Sequence, residues 1–512
     1  MIVLLRSLAI LVGLLIGAAP VSAEEATANV SAASPQQAAA KSAGDAKPAA
    51  DAAKHLPADS TTQQKLTLQG RSLDFRATAG AILLSDDKGS PEVDVAFIAY
   101  QLDGADAYTR PVTFVFNGGP GAGSAWLQLG AIGPWRLPMN GLSASSAPTL
   151  VDNEETWLDF TDLVFVDPPG TGYCRIIATG EEVRKKLWSV NGDIDALSIV
   201  VRRWLAANNR LVSPKFILGE SYGGFRGPRL AEELATKQGI GIKGLVLISP
   251  ALAIGPALVG GGDPFSFATL LPSYAAAFRE RRGKVTREDL VDVEQYASHD
   301  YLLDFLRGPN DAAAIARMAR RVSELTGLNP QLVAQLGGRV SKTAFLREFD
   351  RVQGKVIASY DATISSSDPE PNEYRSHWLD PVLEGFDAPF SSAIMGIYNS
   401  RLGWKIDDRY ELLNEAISHA WNWGNGMEAP DSVSALKRML ALDPSFKVLI
   451  GHGLTDVQTP YFGTQLLLDQ IPDYGQPGRL QLKVYGGGHM PYSRDESRKA
   501  LREDARRLIE GR

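Results

Sequence analysis

Gly219-Glu220-Ser221-Tyr222-Gly223-Gly224 follows the apolar run Phe216-Ile217-Leu218 and leads into Pro228-Arg229-Leu230-Ala231-Glu232-Glu233-Leu234. A short apolar run, a glycine-rich break and an amphipathic stretch read as strand, tight turn and helix. Ser221 then stands at the apex of the turn. A sharp strand-to-helix turn raises its central side chain above the sheet in strained backbone. Side chains two residues before and after it would collide, which accounts for Gly219 and Gly223. Ser221 is therefore the candidate attacking group.

A serine hydroxyl is a poor nucleophile at neutral pH and needs a base, itself oriented by an acid. The later chain carries both types. The run Phe446-Lys447-Val448-Leu449-Ile450 reads as a buried strand, and the loop expected after it, Gly451-His452-Gly453-Leu454-Thr455-Asp456, delivers the carboxylate of Asp456. Leu480 to Tyr485 reads as another strand, ending in Gly486-Gly487-Gly488-His489-Met490-Pro491. The order Ser221, Asp456, His489, each after a strand, is that of an α/β-hydrolase. The expected fold class is accordingly α/β: a mostly parallel central sheet flanked by helices, with a largely helical cap insertion. Of the six histidines, His55 lies in a low-complexity stretch and His299, His377 and His419 lack a strand-loop context. His452 precedes Asp456 and so falls outside the chain order.

A third constellation is Val112-Thr113-Phe114-Val115-Phe116, a strand, running into Asn117-Gly118-Gly119-Pro120-Gly121-Ala122-Gly123-Ser124. Glycines let backbone N–H groups approach a substrate oxygen, and an oxyanion hole in this fold combines such a loop with the residue after the nucleophile, here Tyr222. Asn-Gly-Gly-Pro-Gly, Gly-Glu-Ser-Tyr-Gly-Gly, the run Asn153…Trp157…Asp167-Pro168-Pro169-Gly170-Thr171-Gly172-Tyr173, and Gly487-Gly488-His489-Met490 occur in this order between about 110 and 492. With these four motifs the chain resembles the serine carboxypeptidases. The resemblance implies Ser221 as nucleophile, His489 as general base, Asp456 as its orienting carboxylate, and the N–H groups of Gly119 and Tyr222 as oxyanion hole. It also implies that Asn117, Gly118 and Glu220 hold the free C-terminal carboxylate of a peptide. Family members use a second glutamate there, two residues before a Gly-Pro, and here that place is held by Ala131. Weaker selection for a free C-terminus is the expected consequence. Ala122 is a second departure, since many eukaryotic relatives carry a cysteine there.

The chain has 512 residues, 44% hydrophobic and 22% charged, enough for a hydrolase core plus an insertion. A net charge of −7 argues against a nucleic-acid partner. Met1 to Arg6 supplies a positive start, Leu8 to Ala19 an apolar run and Val21-Ser22-Ala23 small residues. This pattern reads as a signal peptide over residues 1–23, which implies a periplasmic or secreted protein without stable membrane insertion after cleavage. The single cysteine, Cys174, permits no intrachain disulfide and favours a bacterial periplasm over a eukaryotic secretory route. A core or turn position is expected for it.

Residues 24–62, rich in Ala, Pro, Ser, Lys and Asp, are expected to be a disordered linker. The hydrolase core is expected over 63–254 and 441–512, with antiparallel strands opening it from Leu66 to Tyr100, as in the alternating run Val93 to Tyr100. The distance between Ser221 and Asp456 exceeds what strand-helix units need, so an insertion is placed at 255–440. Within it Asp311 caps a helix with the stripe Ile315, Met318, Val322 and Leu325, stopped by Gly327, and Asn329-Pro330 opens another. Leu271-Pro272-Ser273-Tyr274 and Trp421-Asn422-Trp423 are candidate pocket walls. Ser493 and Glu496 form the pattern of a capping box before a last helix carrying Leu501, Ala505, Leu508 and Ile509.

The sequence thus points to a hydrolase that removes C-terminal residues from peptides through a seryl acyl-enzyme, with no metal or cofactor implied. An esterase or acyltransferase on the same fold shares every step up to the acyl-enzyme. A binding protein that kept the fold without the chemistry is the remaining alternative.

Overall fold

The computed structural model describes residues 55–254, 262–373, 378, 380–424 and 430–511. The expected signal peptide, residues 24–54 of the expected linker, and His377 lie outside them.

Nine strands run β1 (Ser60–Leu68), β2 (Arg71–Ser85), β3 (Pro91–Leu102), β4 (Val112–Phe116), β5 (Asp162–Val166), β6 (Lys215–Glu220), β7 (Gly244–Ile248), β8 (Lys447–Gly453) and β9 (Leu480–Tyr485). They form one sheet in the order β1-β2-β3-β5-β4-β6-β7-β8-β9, with a short strand at Arg175–Ile176 added to β3. The first pairings, up to β3 with β5, are antiparallel. From β5 through β9 every pairing is parallel. Every residue of β4, β5, β6 and β7 is buried, as parallel strands covered on both faces require. Alternation then divides their side chains: Val115, Leu218 and Val246 enter one core, and Phe114, Phe116, Ile217 and Leu247 the other.

The second of these cores is closed by α1 (Val190–Ala207), through Leu197, Val201 and Trp204, and by α2 (Tyr222–Thr236), through Leu230 and Leu234. The fold is that of an α/β-hydrolase. The structure begins earlier than the composition suggested. Ser60 already pairs with Ala79, and the Leu56 N–H donates to the buried Asp94 carboxylate at 2.8 Å. Alternating Thr, Gln, Lys and Leu supply one buried face there, which a tally of small and polar residues does not register.

Between β7 and β8 the described chain is mainly helical, beginning with α3 (Pro264–Glu280), α4 (Ala312–Thr326) and α5 (Lys342–Glu348), with one small antiparallel pair at Lys355–Ile357 and Ser365–Ser367. Asp311 accepts from the Ala314 N–H, and Gly327 ends α4 in the left-handed region, as expected. Their core gathers Phe267, Tyr274, Val322 and Phe345 against Leu454, Val457, Tyr461 and Phe462, which follow β8. This segment is not only a cap. Residues Phe386, Phe390, Tyr398, Trp404 and Tyr410 enter the first sheet core. The helix α7 (Val433–Leu442), after α6 (Pro381–Gly396), packs Leu436, Met439 and Leu440 into the second, so position 440 falls inside a core helix and not at a boundary.

The expected capping box does not form. A 3-10 turn at Pro491–Ser493 makes Arg494 the residue before α8 (Asp495–Glu510), without a side-chain cap; Asp495 and Glu496 in the first turn face the positive end of the helix instead. Leu501, Ala505 and Ile509 are buried, as the stripe predicted.

Candidate active site

Ser221 sits between β6 and α2 with φ 59° and ψ −120°, a conformation that costs a non-glycine residue roughly 1–3 kcal/mol. Four hydrogen bonds hold it: its N–H donates to Ile248 O at 2.9 Å, and its carbonyl accepts from Gly224 at 2.9 Å, Ala251 at 3.1 Å and Phe225 at 3.3 Å. A Cβ on Gly219 would lie 2.0 Å from the Gly223 oxygen, and one on Gly223 would lie 2.5 Å from the Phe116 oxygen. Side chains there are excluded by contact, as the sequence reading required. The loop after β4 comes equally close: a Cβ on Gly118 would lie 2.5 Å from Tyr222 N and 2.9 Å from Ser221 Cβ. Gly118 therefore borders the serine at the N-terminus of α2, where the first N–H groups have no acceptor within the helix.

His489 and Asp456 meet in the interior, both fully buried. The His489 Nδ1 donates to Asp456 Oδ2 at 2.9 Å. Asp456 is otherwise saturated: Oδ1 accepts from Gln458 N at 2.8 Å and Thr459 N at 2.9 Å, and Oδ2 from Thr459 Oγ1 at 2.8 Å. This fixes the imidazole with its proton on Nδ1 and leaves Nε2, which is buried without a hydrogen-bond partner among the described residues. Burial alone would push His489 below its ordinary range, but the Asp456 charge and hydrogen bond outweigh it and hold it above. Burial likewise opposes charge on Asp456, and the adjacent imidazole reverses that and keeps the carboxylate low. An imidazole poised in this way can accept a proton at Nε2 and return it.

His452 does not compete. It lies inside β8, paired with Val484, because the strand continues through Gly453 where the sequence reading began a loop. Its Nε2 lies 2.9 Å from Thr464 Oγ1, and burial pushes its pKa down to about 4, so it is neutral.

Four residues of this site gave no signal in the motif reading. Thr459 Oγ1 donates to Asp456 Oδ2 and lies 3.0 Å from the Ser249 carbonyl and 3.0 Å from His489 Nδ1. Tyr360, from the insertion, accepts the His489 N–H at its carbonyl and sets its ring edgewise against the imidazole, 4.6 Å between centroids. Arg226, one turn into α2, is 1% exposed and donates to Asp193 Oδ2 at 2.7 Å and to Asn117 O at 2.7 Å, tying the helix after Ser221 to the loop of Gly118 and Gly119. Tyr492 donates to Glu220 Oε2 at 2.7 Å. An arginine on the buried face of an amphipathic helix was the legible clue to Arg226.

Glu220 is buried, and burial pushes its pKa up to about 7 against the opposing effects of His489, Tyr492 and Asn117. Ala131 is buried in the helical turn 125–132 that follows the Asn117 loop, and its carbonyl accepts from Asn153 Nδ2 at 2.9 Å. Of the two proposed pocket walls, Leu271 to Tyr274 belongs to the insertion core, where Tyr274 stacks on Phe345 at 3.8 Å. Trp421 and Trp423 instead pack edgewise on the Tyr222 ring at 5.3 and 5.6 Å. Cys174 donates to the Asp167 carbonyl and is pushed up by burial, which makes it an inert packing residue. Among the described residues no cluster of three His, Cys, Asp or Glu side chains could hold a metal ion.

Residues 94–254 match the serine carboxypeptidase family. That stretch carries β3 to β7, Asn117 to Ser124 and Ser221; Asp456 and His489 lie beyond it and are brought to it by the fold. The pheromone-processing carboxypeptidase KEX1 of Yarrowia lipolytica is 30% identical over 140 residues, 27% of this chain and 21% of that protein. Serine carboxypeptidase-like 33 of Arabidopsis thaliana is 32% identical over 130 residues, 24% of this chain and 25% of that protein. The chain thus spans about a fifth to a quarter of the length of these curated relatives. Among solved structures, the prohormone-processing carboxypeptidase Kex1(delta)p of Saccharomyces cerevisiae superposes with a TM-score of 0.53 at 16% identity, covering 85% of this chain and 90% of that one. This likeness establishes the shared fold.

Proposed function

We propose that the protein is a serine carboxypeptidase-type hydrolase that cleaves C-terminal residues from peptides through a seryl acyl-enzyme. The observation that carries this reading is the buried His489 on the loop after β9, fixed by Asp456 at Nδ1, open at Nε2 and close enough to Glu220, the residue before Ser221, to act on its charge. In this reading His489 Nε2 takes the Ser221 proton as Oγ attacks the scissile carbonyl. The N–H groups of Gly119 and Tyr222 receive the negative oxygen of the tetrahedral intermediate. His489 then protonates the departing amine, and water attacks the ester by the same route in reverse. Asn117, Gly118 and Glu220 would receive the substrate's terminal carboxylate, for which a protonated Glu220 is a fitting donor. The family match over 94–254 supports the same assignment.

Mass spectrometry of a peptide, its C-terminal amide and a blocked ester after incubation with the protein tests this. Stepwise shortening of the free acid is expected. Ester turnover with an untouched peptide would favour an esterase, and absence of covalent labelling by a fluorophosphonate would favour a silent binding protein. The reading extends to export as a periplasmic or secreted protein, supported by the pattern of residues 1–23; a mature N-terminus other than Glu24 would contradict it.

A further inference from the structure

The turn that carries Ala131 has a neighbour that sequence comparison does not suggest. Tyr492, three residues after His489, is fully buried, and a Cβ on Gly130 would lie 2.8 Å from its ring. Its hydroxyl reaches Glu220 Oε2. We propose that Tyr492, acting through Glu220, takes the place of the missing second glutamate and gives this chain its selection for a free C-terminal carboxylate. The inference rests on the carboxypeptidase reading above and deepens it.

Burial drives the Tyr492 hydroxyl well above the ordinary tyrosine range, so it carries a proton at every working pH. That single proton is directed at Oε2, so Oε2 serves as an acceptor, and when Glu220 is protonated its hydrogen resides on Oε1. The Asn117 side chain is ordered in the same sense: Oδ1 accepts the Leu127 N–H at 3.0 Å, so its other group is an amide with two hydrogens, of which one meets the Glu220 carboxyl and the second is left to donate. Oε1–H and the Asn117 amide together form a donor pair matched to a carboxylate. A peptide amide in that position would present its own N–H groups to donors, leaving buried groups unpaired.

Two glutamates share a proton and titrate as a coupled pair. A tyrosine and a glutamate do not: only Glu220 ionises in the working range, so selection should be lost with a single proton. The groups facing Glu220 are His489 and Asp456 from the loops after β9 and β8, Tyr360 from the insertion, Tyr492 and Asn117. With its pKa raised to about 7, Glu220 is protonated and donates below that pH, and above it becomes a carboxylate that repels the substrate's own. Tyr492 stabilises the ionised form, so removing its hydroxyl should move this alkaline limb to higher pH while weakening selection below it.

The test uses the full chain as wild type, Tyr492→Phe, Glu220→Gln and the double variant. Steady-state KM and kcat are measured for a free-acid peptide and its C-terminal amide from acid to alkaline pH. Fluorophosphonate labelling reports the fraction of assembled sites. Tyr492→Phe should reduce the acid-over-amide preference roughly tenfold, mainly through KM, and shift the limb upward. Glu220→Gln should abolish the limb, and adding Tyr492→Phe to it should change little, because the two act as one unit. A Tyr492→Phe variant that labels fully and keeps both the preference and the limb overturns the role of Tyr492 alone. If the phenylalanine variant does not label, a Glu220→Gln protein with an unchanged limb overturns it equally. A wild type that labels but shows no preference for the free acid overturns this proposal together with the carboxypeptidase reading.

Discussion

The strand-end loops and the insertion meet at the same histidine by different means. From the sheet side, Ser221, Asp456 and His489 are delivered by loops after β6, β8 and β9, positioned by parallel register and by glycines whose absent side chains leave no alternative geometry. From the insertion side, Tyr360 supplies a carbonyl and a ring edge, and its segment is held by Asp380, which accepts the N–H groups of Ser359 at 2.6 Å and Tyr360 at 3.2 Å. The first region is built from short motifs and the second from tertiary hydrogen bonds. Chemistry should therefore reside in the first, and orientation and access in the second.

The largest effect that tests this division is expected at Ser221, the proposed nucleophile. Ser221→Ala should lower turnover roughly 10³-fold or more and abolish fluorophosphonate labelling with thermal stability retained. Asp456→Asn should act in the same range by releasing the imidazole from its tautomer. It should also move the acid limb of ester turnover. The proposed mechanism requires neutral His489, whose pKa the Asp456 charge raises above the ordinary histidine value, so wild-type activity should fall as pH drops through that raised value. In the asparagine variant the limb should lie at lower pH, and an unmoved limb would assign it to another group.

Next comes the strut that joins α1, α2 and the Asn117 loop. Arg226→Met leaves Asp193 charged and buried without its partner, and should cost roughly 3–5 kcal/mol in denaturant unfolding. A loss below about 1 kcal/mol would mean that the Asn117 loop does not depend on this ion pair.

A smaller effect is expected from the insertion. Tyr360→Ala removes an edgewise aromatic contact of the kind worth about 0.5–1.5 kcal/mol, so kcat should fall by about tenfold or less. A loss as large as that of Ser221→Ala would break the comparison and make the insertion part of the reactive machinery. Smallest of all, Asp311→Ala removes the cap of α4 and should cost about 1 kcal/mol of stability with turnover unaltered.

Sequence alone was enough for the elements whose geometry is local. Glycines at 219 and 223 declare a turn, alternation and apolar runs declare buried strands, and Asp311 and Gly327 declare both ends of a helix, because each depends on contacts a few residues apart. The spacing of Ser221, Asp456 and His489 was legible for the same reason, each ending a strand. Only the tertiary structure decided that Tyr492 meets Glu220, that Arg226 spans Asp193 and Asn117, and that Tyr360 backs His489. Those partners are separated along the chain by tens to hundreds of residues, and their pairing is imposed by burial. A polar group enclosed by the fold must find a partner there, and which partner it finds depends on how the sheet and the insertion close around it.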